Sequence, residues 1–310
     1  MRRYYIDSLP EFFPRSVVTV GMFDGVHRGH RALLDFVKAE AERHQAEPLV
    51  ITFDTHPRVV LKKAIDSLRL LNTDKERFDR LSETGIENLL IIPFNKTYAS
   101  LSASDFLDIL RPGVNMVEIV MGYDNHFGSK NSDSPDILSE YGQKNNVEIR
   151  KADIRLQAEG TDISSTAIRQ ALDNGNLDLA NNMLGYAYTF SGKVVHGLAR
   201  GRELNFPTAN LNIDPHKQLP SLGVYAAKVS VIGGPTVTYR GMLNLGVRPS
   251  FALKDFSAEV HLLDYSGNLY GKNLMVEPIA KIRDEQKFPS PELLKARLQK
   301  DEDEVRRILS

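Results

Sequence analysis

The chain contains no cysteine among its 310 residues. Disulfide frameworks, zinc–thiolate centres and cysteine nucleophiles all require that residue, so these three kinds of site are excluded. A chain without disulfides suits a reducing compartment, and we expect a cytoplasmic protein.

Charge of one sign and long apolar runs are missing too. Lys and Arg total 39 against 40 for Asp and Glu, which leaves a net charge of −1. Nucleic-acid-binding proteins typically carry a basic excess, so we expect no nucleic-acid partner. No stretch approaches the roughly 18 apolar residues of a transmembrane helix, and the first residues, MRRYY, lack the apolar core of a signal peptide. We therefore expect a soluble, unprocessed protein that does not associate with membranes.

The chain is longer than a usual single domain, and its pattern changes near residue 185. Before that point apolar strands alternate with amphipathic helical stretches, which is typical of an α/β sheet with crossover connections. The predicted strands are residues 17–20, 49–53, 89–92 and 117–121, and the predicted helices are residues 31–43, 75–82 and 102–110. Ser102 with Asp105 resembles a capping box, and Phe106, Leu107 and Leu110 then supply a core stripe.

After residue 185, strand-like segments are separated by Gly and Pro, which indicates an antiparallel barrel or a sandwich. The segments are residues 190–195, 224–232, 237–245, 258–263 and 274–282. Ser290 as N-cap and Pro291 in the first turn predict a closing helix, with Leu293, Leu294, Leu298, Val305 and Leu309 available for packing. The sequence therefore predicts two domains, residues 1–185 and 186–310.

The most informative stretch is GMFDGVHRGH at residues 21–30, between the predicted strand 17–20 and the helical pattern 31–43. Gly21, Gly25 and Gly29 permit close backbone approach and positive φ, and a helix N-terminus attracts anions. Two imidazoles three residues apart, His27 and His30, can then share one phosphate. The stretch predicts a nucleotide phosphate site; a surface turn with incidental histidines is the alternative.

Two further stretches follow predicted strands: residues 52–57 (TFDTHP) and 122–128 (GYDNHFG). Asp124 and the polar groups of residues 52–57 should therefore emerge at the carboxyl edge of the sheet, where open α/β folds bind ligands. Ordinary loops are the alternative for both. Residues 163–169 (ISSTAIR) open a helix. Ser164 and Ser165 could either cap this helix or contact phosphate, and Arg169 offers a bidentate donor for pyrophosphate.

A second glycine-spaced loop occupies residues 192–202 and runs into the extended segment 206–211 (FPTANL). Thr208 and Asn210 alternate along this segment, so their oxygens share one face and can ligate Mg²⁺. There is no GxxxxGK[ST] P-loop, and a β-hairpin with turn glycines is the alternative. Glu259 lies on the strand face opposite Val260 and Leu262, where an ordinary exposed glutamate is the alternative.

Taken in order, these stretches resemble the prokaryotic bifunctional riboflavin kinase/FMN adenylyltransferase (FAD synthetase) family, over nearly the whole chain. The second half of the resemblance rests on residues 206–211, 244–249, 259, 269–271 and 281–285. It implies an α/β fold, with a Rossmann-like nucleotidyltransferase domain followed by an antiparallel β-barrel flavokinase domain with a C-terminal helix. It also implies two reactions. ATP phosphorylates riboflavin to FMN, and FMN then attacks the α-phosphorus of ATP to give FAD and pyrophosphate.

For the adenylyltransferase, the resemblance implies that His27 and His30 stabilise the transition state, because the attacking phosphate is already anionic and needs no protein nucleophile. Mg²⁺ would offset charge on the phosphates. The residues implied to bind ATP or its phosphates are Gly21, Phe23, Asp24, Gly25, Ser164, Thr166 and Arg169. Those implied to contact flavin or nucleotide are Asp124 and Asn125.

For the kinase, the resemblance implies that Glu259 accepts the proton of the riboflavin 5′-hydroxyl as that oxygen attacks the γ-phosphate of ATP. Thr208 and Asn210 would hold Mg²⁺, and Arg283 would close over the flavin. The other residues implied to contact ATP are Gly197, Gly201, Arg202 and Pro207.

Four positions depart from the residues usual in the family. Thr55 stands in place of proline, Asn125 of an aromatic residue, Asn205 of glycine and Ser250 of threonine. None removes an implied catalytic group. Asparagine tolerates positive φ better than most non-glycine residues, so we expect the turn at Asn205 to survive at some cost. Asn125 leaves the flavin or adenine contact open.

Three other functions fit part of the pattern. In a single-activity enzyme only the kinase or only the adenylyltransferase would work, but both sets of reactive residues are present. A flavin-binding regulator or scaffold would not need both reactive sets, which together comprise His27, His30, Thr208, Asn210 and Glu259. An aminoacyl-tRNA synthetase relative would share the HxGH-type site, but the neutral charge and the absence of a KMSKS-like lysine loop disfavour it.

Overall fold

The computed structural model describes residues 1–11, 13–56, 60, 69–123, 135–197, 201, 204–248 and 255–310. The chain forms two compact units, Met1–Ser165 and Thr166–Ser310. A parallel sheet organises the first unit, and a closed antiparallel barrel organises the second.

The first unit confirms the predicted α/β architecture. Its sheet consists of β1 (Arg2–Tyr5), β2 (Ser16–Val20), β3 (Glu47–Phe53), β4 (Asn88–Ile92), β5 (Met116–Met121) and β6 (Glu148–Lys151). The strand order is β1-β4-β3-β2-β5-β6, and each described pair of neighbours is parallel. The four predicted strands lie within β2, β3, β4 and β5. The two outer strands, β1 and β6, were not predicted.

Helices separate these strands. They are α1 (Arg28–His44), α2 (Asp74–Ser82), α3 (Lys96–Ser100), α4 (Ala103–Leu110) and α5 (Pro135–Asn145). A short antiparallel pair, β7 (Gln157–Ala158) with β8 (Thr161–Asp162), follows β6. Ser102 accepts the N–H of Asp105 at 3.1 Å at the start of α4, which is one of the two hydrogen bonds of the predicted capping box. The predicted core stripe is also confirmed, because Phe106, Leu107 and Leu110 are buried.

Both faces of the sheet are buried, which explains the uninterrupted apolar runs of its central strands. All five residues of β2 are buried. Val18 and Val20 pack into the hydrophobic cluster that contains the core side chains of α4. Val17 points the other way, into the cluster that contains those of α1. The strand that leads to the histidine pair is therefore fixed from both sides.

The strand order reverses beside β2, because β3 lies on one side of it and β5 on the other. In open parallel sheets the crevice at the carboxyl ends of the strands at such a reversal is where ligands bind. Residues 21–30 leave the sheet at this point, and residues 54–56 leave it at the end of the neighbouring β3. The fold therefore places residues 21–30 and residues 54–56 at the same carboxyl edge of the sheet.

The second unit is a barrel preceded by α6 (Ser165–Asp173), whose first residue still belongs to the first unit, and α7 (Leu177–Leu184). Its strands are β9 (Phe190–Val195), β10 (Ala209–Ile213), β11 (Gly223–Val231), β12 (Thr238–Arg248), β13 (Asp255–Leu262) and β14 (Asn273–Arg283). They close in the order β10-β13-β12-β11-β14-β9, and each described pair is antiparallel. Of the two possibilities that the sequence left open, the barrel is confirmed.

The closing helix α8 (Pro291–Ile308) begins as predicted, with Ser290 accepting the N–H of Leu293 at 3.3 Å and Pro291 in the first turn. Val305 is buried in a cluster with barrel side chains. Leu293 was expected to be available for packing, but it is 54% exposed, so that expectation is wrong. The reason is helical spacing, because a turn of 100° per residue places Leu293 off the face that carries Leu298 and Val305.

Candidate active sites

His27 and His30 lie where α1 begins, directly after β2. His27 is the N-cap residue of α1, and its Nδ1 accepts the backbone N–H of His30 at 3.3 Å. The two rings stack, with centroids 3.6 Å apart and an interplanar angle of 15°. Because Nδ1 of His27 accepts, this hydrogen bond assigns the proton of the neutral ring to Nε2, which is then a donor. The pair and the helix N-terminus together form an arrangement suited to a phosphate.

The surroundings of His30 favour its neutral form. Burial lowers the pKa of His30 well below its usual value, and the neighbouring His27 lowers it further. Its Nδ1 is buried and has no hydrogen-bond partner among the described residues. The ring of Phe23 meets it edge-on, at 5.2 Å between centroids. A phosphate beside the ring would raise this pKa again, because a nearby negative charge favours the imidazolium.

The loop between β2 and α1 has an unusual backbone. Gly25 has a φ of 85°, and Phe23 and Val26 also have positive φ, at 51° and 38°. Of the three glycines that permit close approach and positive φ, Gly21 and Gly29 do not have positive φ. Crowding excludes side chains there instead. A Cβ on Gly29 would lie 3.2 Å from the ring of the N-cap histidine, and one on Gly21 would lie 3.1 Å from the phenylalanine ring.

Asp24 braces this loop. It is buried, and its Oδ1 accepts the backbone N–H groups of Leu71 at 2.9 Å and Asn72 at 3.2 Å. Its own carbonyl accepts the hydroxyl of Ser165 at 2.8 Å. The structure therefore ties this predicted phosphate-site residue to two other segments of the first unit.

Arg77 was not identified from the sequence, and it lies on α2 with a side chain that is 2% exposed. Its guanidinium donates to the carbonyls of Met22 at 2.8 Å and Phe53 at 2.7 Å, and to Oγ1 of Thr52 at 2.7 Å. One arginine thus joins the loop after β2 to the end of β3. The available signal in the sequence was its position four residues before the core residue Leu81, on the buried face of the helix.

The stretch 163–169 falls at the boundary between the two units. A Cβ on Gly29 would lie 3.8 Å from the carbonyl of Ile163, so the start of this stretch lies beside the beginning of α1. Ser164 follows it within the first unit. Thr166 and Arg169 belong to the second unit, where Nη2 of Arg169 donates to Oγ1 of Thr166 at 3.5 Å.

One residue of the predicted stretches has a structural contact with the next strand, and several predicted residues lie outside the described ranges. Oδ1 of Asp54 accepts the N–H of Phe94 at 3.0 Å, so it connects the ends of β3 and β4. The predicted site residues outside the described ranges are Asp124, Asn125 and Arg202, and so are Pro57 and Ser250.

In the barrel, Glu259 lies on β13 directly opposite Asn210 of β10 and Asn244 of β12. Directly opposed residues on neighbouring strands project from the same face, so one carboxylate and two amides share it. Oε2 of Glu259 accepts the hydroxyl of Thr208 at 3.0 Å. The structure thus brings the predicted base and both predicted metal ligands together. The sequence analysis did not single out Asn244 as a site residue.

The preceding loop approaches this cluster closely. A Cβ on Gly197 would overlap the side-chain amide of Asn210, and a Cβ on Gly201 would overlap the carbonyl of Phe206. Glycine is therefore required at position 201, where the overlap is with backbone, whereas a side chain at position 197 would displace the amide of Asn210. Asn205 has a φ of 67°, so it occupies the left-handed turn that was expected of it.

A cavity of about 410 Å³ adjoins this segment of the barrel. Pro207 and Thr208 line one side of it, and Tyr270 lines another, with its ring stacked on that of His196 at 3.9 Å between centroids. Val260 and Leu262 of β13 also line it, so the cavity lies on the strand face opposite the one that carries Glu259. Its volume falls within the usual range for small-molecule sites. On the face that carries Glu259, Nδ1 of His261 lies 2.7 Å from the carbonyl of Pro207 and so holds the segment in place.

Arg283 ends β14 in an ion pair with a buried carboxylate. Its Nε donates to Oδ2 of Asp301 at 2.9 Å, and its Nη2 lies 2.8 Å from the same oxygen. Asp301 is fully buried on α8. The side chain that the resemblance assigns to flavin therefore links the last barrel strand to the closing helix.

Within the described ranges, no helix combines the length and the apolar character needed to cross a bilayer. Two family models match the chain. FAD synthetase matches residues 9–167, and riboflavin kinase matches residues 184–309.

Proteins named bifunctional riboflavin kinase/FMN adenylyltransferase are similar over nearly the full length. The one from Buchnera aphidicola subsp. Acyrthosiphon pisum is 35% identical, over 96% of this chain and 94% of its own. The Bacillus subtilis protein is 35% identical, over 96% of this chain and 93% of its own. The Escherichia coli K12 protein is 36% identical, over 92% of this chain and 90% of its own.

One solved structure is similar over both units. It is a crystal structure described as a macrolide-efflux protein from Streptococcus pneumoniae, with a TM-score of 0.85, 31% identity and coverage of 98% of both chains. The efflux description belongs to the pneumococcal protein, and the likeness to this chain is one of fold.

Proposed function

The chain belongs to the bifunctional riboflavin kinase/FMN adenylyltransferase family, and on that premise we propose which of its residues carry the two reactions. The protein phosphorylates riboflavin to FMN with ATP and transfers the adenylyl group of ATP to FMN, which gives FAD. The observation that carries the proposal is the separation of reactive groups. The stacked histidines begin α1, and the carboxylate with its hydroxyl partner lies in the barrel.

In adenylyl transfer, His27 and His30 stabilise the transition state. An oxygen of the FMN phosphate forms a bond to the α-phosphorus of ATP while the bond to the pyrophosphate oxygen breaks. Negative charge therefore moves towards the leaving group. The Nε2–H of His27 donates to that charge, and the positive end of the α1 dipole also stabilises it. His30, neutral before binding, gains affinity for a proton as the phosphates approach.

The same proposal assigns the remaining predicted contacts of this site. Asp24 and Ser165 support it, because their hydrogen bond holds the loop against the segment that carries Ser164. The residues assigned to ATP and its phosphates are Gly21, Phe23, Asp24, Gly25, Ser164, Thr166 and Arg169. Asp124 and Asn125 are assigned to flavin or nucleotide.

In the kinase reaction, Glu259 acts as general base. It accepts the proton of the riboflavin 5′-hydroxyl as that oxygen bonds to the γ-phosphorus and the bond to ADP breaks. The hydroxyl of Thr208 donates to this carboxylate at 3.0 Å, which supports the assignment of Glu259 as the group that accepts a hydroxyl proton. The cavity on the other face of β13 adjoins Pro207 and Thr208, and we assign it to the nucleotide.

Thr208 and Asn210 fit a magnesium ion. Both offer oxygen atoms, the ligand type that Mg²⁺ takes, and a third oxygen, that of the Glu259 carboxylate, lies within hydrogen-bond distance of Thr208. Bound there with ATP, the ion would neutralise charge on the phosphates. Gly197, Gly201 and Arg202 are assigned to the nucleotide together with Pro207, and Arg283 is assigned to the flavin.

We also propose that the two functional modules meet at residue 185 and that the protein acts in the cytoplasm. In support of the boundary, the family matches end at residue 167 and begin at residue 184, and Gly185 ends α7 with a φ of 80°. A cytoplasmic location suits reactions that consume ATP.

The test is a time course of riboflavin, FMN and FAD in a mixture of protein, riboflavin, ATP and Mg²⁺. Wild-type protein should make FMN and then FAD. His30→Ala should stall at FMN, with adenylylation slowed by about 100-fold or more, because a preorganised donor is lost. Glu259→Ala should slow phosphorylation of riboflavin by about 100-fold, the usual contribution of a general base. It should still convert supplied FMN to FAD.

Glu277→Ala, which removes a carboxylate from another barrel strand, should behave as wild type. FMN as the sole product of wild-type protein would support the single-activity alternative and reduce the first module to binding. No product from riboflavin or from supplied FMN would refute both assignments.

A further inference from the structure

The loop that leads to the histidine pair is held in a costly conformation. Phe23 and Val26 both have positive φ, at 51° and 38°. Side chains disfavour this left-handed region, and a β-branched residue such as valine disfavours it most. Such a backbone persists only where the surrounding structure determines it. The residues that hold this loop are therefore candidates for control of the site.

Arg77 makes the buried contacts on one side of the loop. Its Nη1 donates to the carbonyl of Met22, the residue just before Phe23, at 2.8 Å. The same nitrogen reaches Oγ1 of Thr52 at 2.7 Å, and Nη2 reaches the carbonyl of Phe53 at 2.7 Å. The loop after β2 is thereby fixed to the end of β3.

The guanidinium is anchored from its own helix as well. Nη2 of Arg77 donates to Oδ1 of Asp74 at 2.9 Å, and the charges of Asp24 and Asp54 also act on it. The planar fork matters here, since its two nitrogens serve acceptors on two different strand ends at once. A lysine ammonium at the same place is a single point and cannot keep both sets of contacts.

A second clamp points to the same loop. Oδ1 of Asp24 holds the N–H groups of Leu71 and Asn72, directly before the capping box of Thr73 that begins α2. On the far side, Nε of Arg31 donates to the carbonyl of Val26 at 3.3 Å. The start of α2 thus holds both Met22 and Asp24, at the two sides of the strained Phe23.

We propose that Arg77 is a positioning residue for the FMN adenylyltransferase reaction. Through the carbonyl of Met22 it fixes the loop whose path sets where His27 caps α1 and where His30 stacks. It does not touch substrate itself. This inference rests on the proposed function, in which the histidine pair stabilises the transition state.

The test compares Arg77→Met and Arg77→Lys with Arg80→Met, a matched control on the same helix whose guanidinium pairs with Glu83 at 3.2 Å. Adenylylation of supplied FMN and phosphorylation of riboflavin are measured on the same preparations. Arg77→Met should lower kcat for adenylylation by about 10- to 100-fold, because a small displacement of catalytic groups is enough for such a loss. KM for ATP and FMN should change less than kcat. Arg77→Lys should lower kcat for adenylylation by a smaller factor, and Arg80→Met should leave it unchanged.

Kinase activity, which belongs to the other unit, should stay within about twofold of wild type in all variants. Far-UV circular dichroism and a thermal melt of each variant measure the folding of the unit that contains Arg77. In a His30→Ala background, Arg77→Met should lower kcat for adenylylation by a much smaller factor than it does in wild type. Both changes remove the same stabilisation of the transition state by His30, so their effects do not add.

Equal losses of both activities in Arg77→Met and Arg77→Lys, or full additivity with His30→Ala, would show a general structural role and overturn the proposal. The proposal would also be overturned if folded Arg77→Met adenylylated FMN at the wild-type rate. If Arg77→Met does not fold, Arg77→Lys decides, and an unchanged kcat refutes the proposal. Failure of wild-type protein to make FAD, or an unaffected His30→Ala, would instead refute the proposed function.

Discussion

Asn205 shows how one residue keeps a turn that glycine would form more cheaply. Its φ of 67° lies in the region where a Cβ clashes with the backbone, and asparagine tolerates it better than most residues. Asn205→Ala should therefore lower the free energy of unfolding by about 1 kcal/mol, whereas Asn205→Gly should change it little. Urea unfolding measures the difference. Asn212→Ala, on an exposed strand position, is the control, and equal losses at both positions would contradict the explanation.

The residues of the two sites differ in how far the sequence alone identified them. His27 and His30 were singled out because two imidazoles stood at an informative spacing after a predicted strand, whereas Glu259 was singled out because the family resemblance implies a base there. Arg77 was missed because its main acceptors are the carbonyls of Met22 and Phe53, which look alike in every residue and are brought near only by folding. Positive φ at Phe23 and Val26 was missed for a related reason, since nothing in those side chains favours it.

Among the elements, the central strands were predicted to within a few residues and the outer strands were not. Strands β2 and β4 are buried along their whole length, so they appear in the sequence as continuous apolar runs. Strands β1 and β6 lie at the sheet edges and are mostly half-buried or exposed, which leaves no such run. Edge strands form because a neighbouring strand offers them backbone hydrogen bonds. The segment's own sequence does not show which strand will be its neighbour.

The contact between α8 and the end of β13 gives a prediction about pH. Arg306 donates two hydrogen bonds to Asp264, each of 2.8 Å, and Arg240 donates another of 2.8 Å. The hydrogen bond from Arg306, followed by that from Arg240, lowers the pKa of Asp264 to about 2. The folded state thus favours the ionised carboxylate. The stability it contributes is complete above the ordinary pKa of an aspartate and is lost as pH falls towards the folded value.

Asp264→Asn keeps a residue suited to the φ of 58° at this position but removes the charge. Its Tm should lie below that of wild type by a constant amount from neutral pH down to about pH 4.5, and the gap should narrow below about pH 4. Calorimetry at several pH values measures it. Added salt should also narrow the gap, because the pair is exposed. A gap that widens on acidification would contradict this account.

At the scale of the whole molecule, the change from strand–helix alternation to closely spaced strands was enough to predict a parallel sheet followed by an antiparallel fold. It was not enough to choose the barrel over the sandwich. The choice depends on pairs such as β9 with β14 and β10 with β13, which join distant parts of the chain. Which strands meet is set by packing and closure, and a single sequence carries no direct signal of either.

The separation of the two reactive sets into two units leads to a prediction about how FMN travels. The histidine pair belongs to Met1–Ser165, and Glu259 belongs to Thr166–Ser310. Each inactivating change should therefore leave the other reaction intact. A mixture of His30→Ala and Glu259→Ala proteins should make FAD from riboflavin, with a lag while FMN made by one chain builds up in solution and reaches the other. Since that transfer is diffusional, dilution of both proteins should lengthen the lag, and added apoflavodoxin as a trap for FMN should suppress FAD. A mixture that makes FMN but no FAD, although Glu259→Ala adenylylates supplied FMN, would instead show that the FMN formed by the kinase is retained by the chain that made it.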